Sequence, residues 1–321
     1  ERSGDLAAHV TTVEAARDMD VLRAALGESQ LDYFGASYGT KLGATYADLF
    51  PERVGRMVLD GAVDLSISSR QLSLQQAAGF ETALRAYVAD CVAQGDCVLG
   101  DSVEEGLATI KGLLDQVDQD PMPTSGSRDL EVGNAFYGIV LPLYNRDYWP
   151  YLTQGLEAAL DGDGTLLLRF SDIYNSRSAR GGYTDNSTEA NYAINCLDNP
   201  WSIPADEVPA QLPAFEKASP TFGTVFAWGL TGCGGIEVEA TEHDRHIDAE
   251  GAAPIVVVGT TRDPATPYQW AQHLADQLDS GVLVSRDGDG HTGYNSGNEC
   301  VDTAIEDYLV DGTVPEDGLS C

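Results

Sequence analysis

Apolar residues recur in short β-like runs near both ends of this chain, and a long stretch of helical periodicity separates them. Residues 13–26 repeat their apolar positions at helical spacing, with Ala16, Met19, Leu22 and Leu26 on one face, and predict an amphipathic helix. Leu31-Asp32-Tyr33-Phe34 reads as the end of a strand. Residues 38–50 predict a second helix, because Leu42, Tyr46 and Leu49 recur at spacings of four and three before Pro51 stops it. Arg56-Met57-Val58-Leu59-Asp60-Gly61-Ala62-Val63 reads as a buried strand with a glycine exit. Strand, helix and strand within about thirty residues is the unit of a parallel sheet.

From residue 66 to residue 221 helical patterns dominate, over 72–93, 103–117, 134–144 and 148–160, joined by loops rich in Gly, Asp, Ser and Asn. Residues 175–187 are the loosest part. Asn186-Ser187-Thr188 there matches a glycosylation sequon, which chance explains. Strands return with Pro254-Ile255-Val256-Val257-Val258-Gly259, a β-branched run fit for a sheet interior, and with Gly281-Val282-Leu283-Val284-Ser285. Helices are expected over 268–278 and 301–310. The predicted class is therefore α/β: a mostly parallel sheet flanked by helices, built from residues 1–65 and 222–321, with residues 66–221 inserted as a helical cap.

One pentapeptide stands out within this frame. Gly35-Ala36-Ser37-Tyr38-Gly39 fits G-x-S-x-G between a strand and a helix, the turn that lifts a serine hydroxyl clear of a sheet's carboxyl edge. Ser37 must take a strained backbone there, and Gly35 and Gly39 lack side chains that would clash where strand and helix cross. A serine hydroxyl needs a base to take its proton and an acid to orient that base. In the α/β-hydrolase order those follow as acid, then histidine. Asp263 stands just past the strand ending at Gly259, and His291 stands just past the next one, in Gly290-His291-Thr292-Gly293. Loops at strand carboxyl ends are where parallel sheets bind ligands. His9 precedes the serine, His243 and His246 lie in a charged stretch, and His273 falls inside a predicted helix. Asp60 is the rival acid, but its place within the strand pattern points to a structural role. The backbone N–H of Tyr38 is expected to be one donor of the oxyanion hole.

The bulk numbers narrow the partners. With 18 basic and 51 acidic residues the formal charge is −33, a surface that repels nucleic acid and anionic membranes. No apolar run approaches the roughly 20 residues needed to span a bilayer. Six cysteines, with no Cys-x-x-Cys and no suitably spaced histidines, argue against a metal site and for disulfides in an oxidising, extracellular setting. Pairing by sequence neighbourhood gives Cys91–Cys97, Cys196–Cys233 and Cys300–Cys321, one of about fifteen pairings open to six cysteines. No cofactor is implied. Only 36 residues precede Ser37, where roughly three further strand-and-helix units of order 30 residues each are expected in this fold. The second oxyanion donor, which normally lies on a loop after an early strand, and the missing strands are therefore expected from an N-terminal segment of the same precursor.

Gly35-Ala36-Ser37-Tyr38-Gly39-Thr40, Ala193-Ile194-Asn195-Cys196-Leu197-Asp198, Asp263-Pro264-Ala265-Thr266-Pro267 and Gly290-His291-Thr292, in this order, resemble the secreted tripeptidyl aminopeptidases of actinobacteria. These are α/β-hydrolase serine exopeptidases related to the proline iminopeptidases. The resemblance implies a helical cap over the active site, a secreted enzyme, and release of tripeptides from peptides with a free N-terminus. Relatives of that family include esterases and cell-envelope proteases. An exopeptidase needs carboxylates for the substrate ammonium, since an unpaired buried charge is costly, and Asp198 and Glu189 are the candidates. Thr266 is expected either to buttress the acid loop or simply to turn the chain. A carboxylesterase or lipase on the same triad is the alternative activity, although a cap this acidic and polar fits a lipase poorly. A catalytically dead binding protein is the third, at odds with an intact Ser37, Asp263 and His291.

Overall fold

A computed structural model describes residues 4–237 and 247–321, and they divide into two compact units. The first comprises the described parts of Glu1–Leu72, Asn191–Ser202 and Cys233–Cys321, and the second comprises Ser73–Ala190 and Ile203–Gly232.

The first unit is built on a five-stranded sheet in the order β1-β2-β3-β4-β5, made of β1 (Leu31–Ala36), β2 (Val54–Asp60), β3 (Ile255–Arg262), β4 (Gly281–Asp289) and β5 (Leu319–Ser320). Every neighbouring pair is parallel, and Ala36 lies level with Asp60 as Asp60 does with Val258. The inner strands β2 and β3 carry the apolar runs Met57-Val58-Leu59 and Ile255-Val256-Val257-Val258 because alternate residues are buried on opposite faces. Met57, Leu59, Ile255 and Val257 pack with Ala16 of α1 (Thr12–Leu26) and with Ala44, Tyr46 and Ala47 of α2 (Tyr38–Leu49). Val58, Val256, Val258 and Val284 form the other face with Val301, Ile305 and Tyr308, which lie on the closing helix of the chain.

Sequence and structure part company at α1. Leu22 and Leu26, expected on its buried face, are 57% and 68% exposed, and Val21 beside them is 67% exposed. The helix packs through Val13 and through Ala16 and Met19 of the expected face. Strand β1, among the described residues, pairs only with β2 and is thus a sheet edge.

The second unit is helical. The chain runs through α3 (Ser69–Gln94), α4 (Val103–Gln119), α5 (Val132–Leu143), α6 (Trp149–Leu160), α7 (Thr165–Tyr174), α8 (Ser187–Asp198), α9 (Val208–Ala218) and α10 (Gly223–Gly229), of which α3 begins and α8 ends in the first unit. Helix α5 crosses α7 closely: a Cβ on Gly138 would stand 2.4 Å from the Leu167 carbonyl oxygen. Phe80, Phe136, Tyr144 and Phe226 join in tilted and edge-on ring contacts that fill its interior. Helices α7 to α10 are not foreseen by apolar spacing. Helix α9, for example, carries Pro213 in its interior, where proline ordinarily argues against a helix. The sequence pattern divides the chain at residues 65 and 221, whereas the units divide after Leu72, Ala190, Ser202 and Gly232.

Helices α11 (Tyr268–Gln277) and α12 (Glu299–Asp311) complete the sheet unit. Disulfides join Cys91 to Cys97, Cys196 to Cys233 and Cys300 to Cys321, the pairing by sequence neighbourhood. Among the described residues no helix is long and apolar enough to cross a membrane. His243 and His246 lie outside the described residues.

Candidate active site

Ser37 occupies the turn between β1 and α2 with φ 56° and ψ −120°, a conformation in which a residue with a side chain is strained. Several contacts hold it there. The Ser37 N–H donates to the Asp60 carbonyl at 2.9 Å, and the Ser37 carbonyl accepts from the Thr40 hydroxyl at 2.6 Å. A Cβ on Gly35 would meet the Gly39 carbonyl oxygen at 2.4 Å and the Tyr33 ring at 2.5 Å, so the turn closes only with glycine there. The Tyr33 hydroxyl donates to the Gly39 carbonyl, and burial pushes its pKa up to about 12, so it remains a donor. Tyr38 is the first residue of α2, where backbone N–H groups lack partners within the helix.

Asp263 follows β3 and is 2% exposed. Its Oδ1 accepts the N–H groups of Ala265 and Thr266 at 2.9 and 2.8 Å, and its Oδ2 accepts that of Thr292 at 3.1 Å. Both oxygens lie 2.9 Å from His291 Nδ1, so the carboxylate holds the tautomer with the proton on Nδ1 and leaves Nε2 as the basic nitrogen. The Thr266 hydroxyl is 3.4 Å from the same Nδ1. Burial lowers the imidazole pKa, but the charge of Asp263, its hydrogen bond, and the more distant Asp60 outweigh it, so His291 titrates above the ordinary histidine value.

The serine and the imidazole both adjoin the end of β2. Ser37 bonds the Asp60 carbonyl, and a Cβ on the next residue, Gly61, would stand 3.2 Å from His291 Cε1. Asp60 is fully buried, and its carboxylate accepts from Gly293 and Tyr294 N–H rather than from the imidazole.

Asp198, at the end of α8, is buried in a different network. It accepts from the Thr12 N–H at 2.8 Å and the Thr12 hydroxyl at 2.5 Å, and it pairs with Lys41 at 2.8 Å. The Thr12 oxygen in turn lies 2.8 Å from the Tyr38 hydroxyl. The charge of Asp198 is thus balanced within the sheet unit by Lys41, a partner that sequence spacing gave no means to find. Asp198→Ala is expected to strand the Lys41 ammonium and to lower stability by about 3 kcal/mol, read as the shift in urea unfolding. Glu189 is exposed on the first turn of α8, in the helical unit. Among the other histidines, His9 bonds Glu14 and His273 bonds the buried Asp64.

Comparison with known proteins adds the following. Residues 219–321 match the family described as TAP-like protein. "Serine protease Hip1" of Mycobacterium tuberculosis is 39% identical over 324 residues, covering 98% of this chain and 62% of that protein. "Carboxylesterase B" of the same organism is 40% identical over 322 residues, covering 98% and 61%. "Tripeptidyl aminopeptidase" of Streptomyces lividans is 29% identical over 327 residues, covering all of this chain and 60% of that protein. The chain therefore spans about three fifths of the length of these relatives.

Proposed function

We propose that this chain, whose residues 219–321 match the TAP-like family, is a secreted serine aminopeptidase that releases tripeptides from free N-termini through Ser37, Asp263 and His291. The observation that carries this reading is the buried Asp263–His291 pair beside the strained Ser37 turn. His291 Nε2 takes the proton of Ser37 as its oxygen attacks the scissile carbonyl carbon, and Asp263 stabilises the imidazolium. The tetrahedral oxyanion takes a hydrogen bond from Tyr38 N–H. Collapse expels the amine of the remaining peptide, which receives the proton from His291 and leaves an ester of the tripeptide on Ser37. Water, deprotonated by His291, then cleaves that ester.

The open edge of β1 and the exposed Val21, Leu22 and Leu26 of α1 support a further part of the reading. Additional strands, supplied by a segment of the same precursor, cover this edge and bring the second oxyanion donor. Three disulfides support secretion. Of the two carboxylates considered for the substrate ammonium, Asp198 is committed to Lys41, so the exposed Glu189 is the one retained.

The carboxylesterase reading is kept because a relative of that name is as similar as the protease. One experiment separates the two: hydrolysis of a free tripeptide anilide, its N-acetylated twin and a short-chain nitrophenyl ester. Cleavage of the free tripeptide with little of its acetylated twin is the expected result. Ester turnover with no preference for the free amine would replace the aminopeptidase by an esterase.

A further inference from the structure

The loop that carries His291 is unusual in its backbone. Gly290, Thr292, Asn295 and Gly297 all have positive φ, and for Thr292 and Asn295 that conformation is costly, so something must hold it. Two buried side chains of opposite charge reach it from the sheet. Arg286 of β4, 9% exposed, donates from one guanidinium nitrogen to the Asp289 carbonyl at 3.1 Å and from another to the Ser296 carbonyl at 3.3 Å, tying the two ends of the loop together. Asp60, at the end of β2, accepts Gly293 N–H at 2.7 Å and Tyr294 N–H at 2.8 Å, tying down its middle. Two glycines of the segment are closely packed. A Cβ on Gly288 would meet the Arg286 guanidinium carbon at 2.7 Å, and one on Gly293 would meet Val258 at 2.8 Å.

We propose that Asp60 and Arg286 are positioning residues for the reaction: a buried clamp of opposite charges that holds loop 289–296 and, through it, the imidazole of His291. This rests on the reading of His291 as the general base. A buried arginine that spends its donors on two carbonyls is expensive in desolvation, and burial lowers its pKa while the nearby carboxylates Asp289 and Asp60 oppose that. Asp263 and Asp60 are the charges that favour the imidazolium, and Arg286, whose own field includes Asp289 and Arg262, is the cation on the β4 side of the loop. Removing the charge of Asp60 therefore lowers the pKa of His291, while exchanging Arg286 for lysine keeps the charge and loses the two-carbonyl bridge.

The test uses Asp60→Asn and Arg286→Lys in the intact protein, with kcat and KM measured separately and the His291 ring titrated by NMR. In both variants kcat is expected to fall on the order of 10²-fold with KM little changed, the cost of misplacing a catalytic group by about an ångström. In Asp60→Asn the titration midpoint of His291, and with it the acid limb of kcat/KM, moves to lower pH. In Arg286→Lys it stays. A clamp that served stability alone would lower the unfolding midpoint and leave kcat of the folded protein unmoved in both variants, and that result overturns the proposal. If Asp60→Asn does not fold, a wild-type kcat in Arg286→Lys overturns it by itself. Ser37→Ala separates this outcome from failure of the underlying reading: full turnover there would remove the serine mechanism, whereas loss of turnover in Ser37→Ala with a wild-type kcat in both clamp variants would remove the clamp alone.

Discussion

Ser37→Ala is expected to abolish turnover, by on the order of 10⁶-fold in kcat, while the protein remains folded. The loss follows from the chemistry: without Oγ there is no bond to form with the acyl group, and only the oxyanion donors and substrate binding are left to act on water. The fold is expected to survive, because the bonds that hold the turn come from the Ser37 N–H and carbonyl, which bond Asp60 and Thr40, and not from the side chain. A fluorophosphonate that phosphonylates the wild type, with loss of fluoride, should leave the variant unlabelled. Labelling of the alanine variant at another residue, or turnover near that of the wild type, would displace Ser37 as nucleophile.

Asp263→Asn is expected to cost about 10⁴-fold in kcat. The carboxylate accepts from Nδ1 of His291 with both oxygens and from three backbone N–H groups, and asparagine can offer only one oxygen to that set. Its amide group would donate toward Nδ1, placing the imidazole proton on Nε2 and removing the basic nitrogen that the proposed mechanism requires. The pH dependence carries the sign of the raised His291 pKa. The stabilisation that the pair contributes is complete below about pH 6.5, the unfolded histidine value, and fades as pH rises through the higher folded value. The gap in unfolding free energy between wild type and Asp263→Asn should therefore close toward alkaline pH. For catalysis the order is reversed, because the base must be neutral, so the acid limb of wild-type kcat/KM should lie above pH 6.5. A variant with full kcat would pass the role of acid to Asp60.

Much of this was legible in the chain, and the residues that were not share a cause. β2 and β3 announced themselves because strands buried on both faces must be apolar at every position, which leaves Val58-Leu59 and Ile255-Val256-Val257-Val258 as unbroken runs. The turn at Ser37 was equally plain, since two glycines and a serine between a strand and a helix answer to local sterics alone. Helix α1 was found, and of its expected face Ala16 and Met19 reach the core while the C-terminal half does not. A helical repeat marks which residues share a side, and it does not say whether anything packs against them, so Leu22 and Leu26 lie exposed. Helices α8 and α9 escaped because Asn191, Asn195 and the interior Pro213 lower helix propensity, and packing overrides propensity only after the chain has collapsed.

By itself the sequence determined the elements of the parallel sheet, the strained serine turn, and the order in which serine, acid and histidine follow along the chain. These rest on neighbours a few residues apart, where backbone sterics and apolar period act. The tertiary structure alone decided that Asp198 is balanced by Lys41 and that Arg286 and Asp60 grip the histidine loop. Each of those is a hydrogen bond or ion pair between carboxylates, cations and amides whose geometry depends on how loops from different strands meet at one edge of the sheet. In a chain with 51 acidic residues, composition makes every carboxylate a candidate partner. Only the distance between atoms chooses among them.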